Sequence, residues 1–205
     1  MTIGYWLYQK NILARRNRPV QARLLDPSPV ALRTEYADRG FRDPMQPEPY
    51  PVDLRFTYLV NPRDPYPDNY FESSGFNLYS ERLVALLGSF GARAESFPVR
   101  LVDKGGNELS EWRYRVYHSL EGVIDALDRD GSGWTGEPGG GVARLALAWG
   151  SFEPRPLFTC RGVYVNLMRD DVRQAIHDTG LTGFRWLDPA LFRSGKYGLP
   201  PPFEE

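Results

Sequence analysis

NLYSERLVALLGSFGARAESFPVRLVD, residues 77–103, holds two periodicities in one run. Leu83, Leu86, Leu87 and Phe90 recur at i, i+3, i+4 and i+7, the spacing that lines one face of a helix. Ser80 stands where its hydroxyl can accept from first-turn amides, and Gly91 stands where a left-handed closing residue is wanted. The run then turns β-favouring in FPVRLVD, 97–103. EWRYRVYHSL, 111–120, follows as a second strand across DKGGNELS, whose paired glycines suit a hairpin. Helix followed by hairpin, with strands in runs and no strict βαβ alternation, predicts an α+β fold with a mostly antiparallel sheet and few helices.

Toward the N-terminus, IGYWLYQ, 3–9, reads as an opening strand and VDLRFTYLV, 52–60, as another. Between them, Pro19, Pro27, Pro29, Pro44, Pro47, Pro49 and Pro51 forbid a regular interior helix or central strand. Residues 15–51 are therefore expected to be a long irregular wrapping segment, pinned by Tyr36, Phe41 and Tyr50. NPRDPYPDNYFESSG, 61–75, is a loop with two readings. It either closes over its own aromatics or presents Tyr66, Asp68, Tyr70, Phe71 and Glu72 for recognition.

Toward the C-terminus, SLEGVIDALDRDG, 119–131, reads as a short helix or turn, followed by a glycine-rich loop to 141. VARLALAWGSF, 142–152, and RPLFTCRGVYV, 155–165, are two more β-prone runs. Asn166 is expected to cap a second helix from about 167 to 179, with Met168, Val172, Ala175 and Ile176 as its buried stripe. Asp170 and Asp171 lie near its positive end and Gly180 just past its last turn. GFRWLD, 183–188, returns as an edge strand and the tail is extended. Residues 1–74, the opening strand and wrapping region, and residues 75–205 are read as one compact unit.

Composition narrows the function. The 205 residues are 41% hydrophobic, enough for one sizeable core, and no run of about 18 apolar residues is present to span a membrane. The first 16 residues lack the apolar core and cleavage site of a secretion signal, so a cytoplasmic location is expected. Cys160 is the only cysteine, and His118 and His177 the only histidines. An internal disulfide and a multi-cysteine or multi-histidine metal site are excluded. Cys160 lies in an apolar run and reads as a buried, inert thiol.

The net charge of -1 conceals an uneven distribution. Residues 10–42 hold 8 basic and 3 acidic residues, residues 43–81 hold 2 and 7, and residues 103–137 hold 4 and 8. These segments either pair with one another or give a face that steers a partner of opposite sign. Nucleic acid is not expected as that partner, because the sequence pI is about 6.2 and the basic stretch lacks the glycine and aromatic pattern of a strand-binding surface.

ALDRDGSGWTGEPGG, 126–140, opens like a calcium loop, with Asp128, Asp130, Ser132 and Gly133 at positions 1, 3, 5 and 6. Position 12 falls on Gly139, where a bidentate carboxylate is needed, and GEPGGG cannot begin an exiting helix. The stretch is read as a solvated acidic turn, with a different cation site from Asp125, Asp128 and Asp130 as the alternative. No Walker loop, GxSxG, HExxH or GxGxxG is present. No catalytic residue, metal or cofactor is expected.

RVYHSLEGVIDALDRDGS, 115–132, and LFTCRGVYVNLMRDDVRQAIHDTGLTGFRWLDPALF, 157–192, resemble the immunity proteins of bacterial polymorphic toxin systems. The likeness is to immunity family eleven, of myxobacterial type and formerly a domain of unknown function. The features that carry it are a tyrosine-rich strand leading to Asp125–Asp128 and Ser132, then an apolar strand, the turn Tyr164-Val165-Asn166, a helix, and Gly180–Phe184. The resemblance spans about residues 75–192.

It implies a non-enzymatic protein that neutralises a cognate toxin domain by steric and electrostatic blocking; a homodimer is compatible with that. Residues for the interface are Tyr66, Asp68, Tyr70, Phe71 and Glu72, and then Asp125, Asp128, Asp130 and Trp134. Two other classes stay open: a small enzyme or ligand-binding domain using His118 and Asp128 in a cleft, and a homo-oligomeric scaffold.

Overall fold

The computed structural model describes residues 4–10, 14–15, 18–19, 21–26, 54–70, 76–111, 113–136, 141–195 and 200–202. Two principal sheets carry the chain, with one strand pair parallel in each and the rest antiparallel. The α+β reading holds. Tyr36, Phe41 and Tyr50 lie outside the described residues, as does most of the proline-rich segment. Its described part is more regular than expected: β2 (Ala14–Arg15) pairs with β3 (Arg18–Pro19), and β4 (Arg23–Asp26) joins a principal sheet beside β5 (Phe56–Leu59). A proline forbids a ladder bond at its own residue, and Arg23–Asp26 has none.

The first sheet adds β6 (Asn69–Tyr70), β7 (Asn77–Ser80), β8 (Ala94–Val102) and β9 (Tyr114–Ser119), in the order β4-β5-β8-β9-β7-β6. Strand β8 changes partner at Pro98. Ala94–Pro98 run antiparallel to β9, and Val99–Val102 run parallel to β5. A residue without an N–H sits where the ladder is handed over. Leu78, Phe97, Tyr114 and Val116 face one side, where they pack with Leu24, Phe56, Tyr58 and Tyr70. Tyr79 and Tyr117 face the other.

The second sheet runs β10 (Val123–Ile124), β11 (Leu157–Cys160), β12 (Val165–Arg169), β1 (Tyr5–Lys10), β13 (Phe184–Leu187). Period-two alternation divides its side chains. Tyr5, Leu7, Phe158, Cys160, Leu167 and Leu187 face an outer layer containing Val142, Leu145 and Leu147. Tyr8, Leu157, Met168 and Phe184 face inward.

Two α-helices among the described residues fill the space that both sheets share. In α1 (Glu81–Ser89) the Ser80 hydroxyl accepts from Leu83 N at 3.2 Å, Leu83 and Leu87 are buried, and Gly91 follows at φ +79°. The helix α2 (Asp170–Asp178) buries Val172 and Ile176 against the same cluster.

Three expectations are corrected. The second helix begins at Asp170, not near 167, because Val165–Arg169 are strand β12. Asn166 lies opposite Thr159 and takes its hydroxyl at 2.9 Å, so its side chain ties two strands and caps no helix; the cap position is Arg169, whose side chain makes no capping bond. Met168 is buried from the strand. Of the two readings for residues 119–131, helix or turn, the structure takes the turn, with β10 beside it, since Asp128 and the glycines favour local turns. Residues 142–152 form no strand. Their apolar side chains roof the second sheet from turns, with one isolated bridge, Leu127 to Leu147.

Candidate functional site

The two stretches proposed for recognition part company in the structure. In the first, Asp68 and Tyr70 are not surface groups. Asp68 is 8% exposed: Oδ1 accepts from Ser80 Oγ at 2.5 Å and Oδ2 from Thr182 N at 3.0 Å. Backbone bonds from Ser80 N to Asp68 O, 2.8 Å, and from Asn69 N to Thr182 O, 3.0 Å, complete a clasp. Asp68 thereby joins the start of α1 to the turn before β13, which places its carboxylate in the interior.

Tyr70 is fully buried, edge-on to Tyr66 at 6.0 Å and to Tyr114 at 5.7 Å. Burial raises its phenol pKa well above the usual value. Tyr66 is half-buried, with its hydroxyl 3.4 Å from Asn61 O. Phe71 and Glu72 lie outside the described residues. Its described part, 61–70, closes over Tyr66 and Tyr70.

The second stretch stays outside. Asp125 and Asp130 are exposed, and Asp128 and Trp134 are half-buried. The loop is nevertheless fixed. Asp128 N donates to Ala146 O at 3.0 Å and Ala148 N to Ala126 O at 2.9 Å, flanking the Leu127–Leu147 bridge. The Ser132 hydroxyl, fully buried, accepts from Ala146 N at 2.9 Å and donates to Ala146 O at 3.2 Å. Asp128 Oδ1 accepts from Gly131 N at 2.9 Å. Arg129 forms an ion pair with Asp125 at 3.0 Å and lies 5.2 Å over the Trp134 ring. Among the described residues, no three His, Cys, Asp or Glu side chains lie together as a metal ion requires. Glu137 and Gly139, from the calcium-loop comparison, are outside the described residues.

The residues considered for chemistry are placed as follows. The His118 ring is 1% exposed and 3.3 Å from Glu95 Oε1. It lines neither of two open clefts, one between Glu81 and Arg115 and one between Arg93 and Arg155, and Asp128 is absent from both as well. His177 is exposed beside Asp178. Cys160 is buried, and that burial pushes its thiol pKa up to about 11, so the neutral form prevails. Glu121, 3% exposed, is a second buried carboxylate. It accepts from Arg93 N at 2.8 Å and pairs with Arg155 at 2.9 Å, bridging the two sheets on the far side of the shared core.

Two exposed aromatics escaped the sequence reading. Trp149, 52% exposed, ends the segment that pairs with the acidic loop. Tyr164, 65% exposed, stands in the turn between β11 and β12. That turn is held to the same loop by Arg161 N donating to Ile124 O at 2.7 Å. In sequence both lie in apolar, β-prone runs, which hid their exposure.

No protein-family model matches the chain, and no curated protein does. The likeness to immunity family eleven stands on the quoted residues alone. Among the described residues, no helix is long and apolar enough to cross a membrane.

Proposed function

We propose that this chain is an immunity protein, acting in the cytoplasm of the producing cell by binding a cognate toxin domain and blocking an essential surface. The observation that carries the reading is the Asp125–Trp134 loop. It offers Asp125, Asp130 and Arg129 at the surface, with Trp134 half-buried beneath Arg129, on a backbone fixed by hydrogen bonds to 146–148. A preformed loop binds without paying an ordering entropy on association. Tryptophan and arginine are the side chains most often found at binding hot spots. The quoted sequence resemblance supports the same reading, and so does the -4 charge of residues 103–137, which would draw in a basic toxin surface such as that of a nuclease.

The test is co-expression with the product of the open reading frame immediately upstream. Rescue of growth and a stable complex of the two purified proteins are expected. The absence of both rescue and a complex would overturn the reading.

A further inference from the structure

We propose that the Asp130–Gly131 peptide unit is a latent site of spontaneous isomerisation to isoaspartate, and that Asp128 is the residue that holds it shut. The proposal stands on the loop's own bonds, whatever the loop binds.

The ground in sequence is one dipeptide. Of the 20 glycines, Gly131 alone follows an aspartate or asparagine. An aspartate before glycine is prone to ring closure, because a residue without a Cβ leaves its amide nitrogen unhindered. The Gly131 nitrogen gives up its proton and bonds to Asp130 Cγ; the carboxyl hydroxyl leaves with that proton as water, and a five-membered succinimide remains. Water then opens the ring at either carbonyl. Attack at Cγ restores aspartate. Attack at the main-chain carbonyl carbon breaks its bond to nitrogen, so that the chain now runs through Cβ and Cγ. One water leaves, one enters, and neither an oxidant nor a cofactor takes part.

The ground in structure is the reason glycine stands there. Gly131 is not in the left-handed region, but a Cβ on it would run into the Asp128 carboxylate, with Cγ at 2.8 Å, and would press on Ala146 Cβ at 3.3 Å. Close approach to Asp128 therefore demands the residue that makes the pair reactive. The same carboxylate blocks the reaction. Asp128 Oδ1 accepts from Gly131 N at 2.9 Å, and a negative charge at that distance opposes the negative nitrogen that attack requires.

The other end of the peptide unit is bonded as well, Asp130 O accepting from Gly133 N at 3.1 Å. Ser132 N to Asp128 O, 2.9 Å, and Trp134 N to Arg129 O, 3.0 Å, brace the turn around it. Swinging the nitrogen toward Cγ breaks both bonds of the unit. The Asp130 side chain is by contrast exposed and makes no hydrogen bond or ion pair among the described residues. Closure therefore waits on local opening of the turn, and Asp128 sets how often that happens.

The test incubates the full chain at physiological temperature and neutral pH. Isoaspartate at residue 130 is followed by peptide mapping and by methyl transfer from S-adenosylmethionine with isoaspartyl methyltransferase, and wild type unfolded in urea supplies the reference rate. Folded wild type is expected to isomerise about tenfold more slowly than that reference, or slower still. Folded Asp128→Ala should approach the reference. Asp128→Asn, which keeps an acceptor oxygen but no charge, should fall between Asp128→Ala and wild type. Circular dichroism establishes that each variant is folded, and Asp128→Asn decides the matter should Asp128→Ala fail to fold. Isomerisation of folded wild type at the urea rate overturns the proposal, and so does a folded variant no faster than wild type.

Discussion

Residues 61–70 and 125–134 resemble each other in sequence, each a turn-rich stretch of carboxylates and aromatics, yet the first runs into the interior at 67–70 while the second keeps its carboxylates at the surface. The difference lies in where the carboxylates find their donors. Asp68 is held by Ser80 and by Thr182, 114 residues away, and the chain closes over it. Asp125 is held by Arg129, four residues on, and Asp128 by Gly131, three residues on. A carboxylate satisfied within its own loop can stay in water. One satisfied from a remote segment draws that segment over itself.

The largest expected effect falls on the Asp68 clasp. Asp68→Ala leaves the Ser80 hydroxyl and Thr182 N–H without their acceptor inside the protein, and chemical denaturation should show a loss of about 3 kcal/mol. A loss under 0.5 kcal/mol would erase the distinction between the two loops.

Next is Gly183→Ala, which tests the same clasp from its other side. Gly183 adopts φ +94°, and a Cβ there would meet Asn69 O at 2.5 Å. A loss of about 2–3 kcal/mol is expected. Full stability would mean that the 180–183 turn is not packed on Asn69.

Ser132→Ala probes what fixes the exposed loop. It removes both bonds to Ala146. The expected cost is about 1–2 kcal/mol, with faster amide exchange at 128 and 146. The smallest effect belongs to Asp125→Asn. Removal of a surface ion pair should change stability by less than about 0.5 kcal/mol, while partner association becomes slower and less sensitive to salt.

A pH titration sets these surface groups against the shared core. Burial raises the Tyr8 phenol pKa to about 12, and those of Tyr79 and Tyr117 also lie well above the usual value of 10.0. A raised native pKa means that the neutral form favours folding. That stability is whole below pH 10 and is lost as pH climbs toward 12. Alkaline unfolding should accordingly begin above about pH 10, with these phenols ionising only as the core opens. Ionisation of all twelve tyrosines near pH 10 in the folded protein would contradict the packing.

The parts of the fold legible in the sequence are those written in local period and capping. Ser80 with the Leu83–Phe90 stripe gave α1, Phe97–Asp103 and Glu111–Leu120 anticipated β8 and β9, and the edge strand at Phe184 was visible from alternation. Where short apolar runs had to be assigned to strand or roof, period alone could not decide. Val165–Arg169 pair with β1 and β11, partners far away in sequence, so a strand took residues that read as the start of a helix. Val142, Leu145 and Leu147 look β-prone but cover a sheet from turns. For the candidate site, the acidic loop was legible because its turn chemistry is local. Burial of Asp68 and Tyr70 was not, since it depends on Thr182 and Tyr114. Exposure of Trp149 and Tyr164 was hidden as well: both stand in turns, and an aromatic in an apolar run gives no sign that a turn will leave it exposed.

Strand β1 lies between β12 and β13, pairing Tyr5 with Arg169 and Leu7 with Leu187. During synthesis those six residues must travel ahead of almost the entire chain before either neighbour leaves the ribosome. Their Tyr and Trp side chains are apolar enough to tempt other nascent strands in the meantime. Loop-closure entropy over such a span makes this sheet the slow step. A fragment missing Tyr5–Lys10 would leave β12 and β13 without the strand between them, so dissection of this protein into independently stable pieces should fail at the second sheet first.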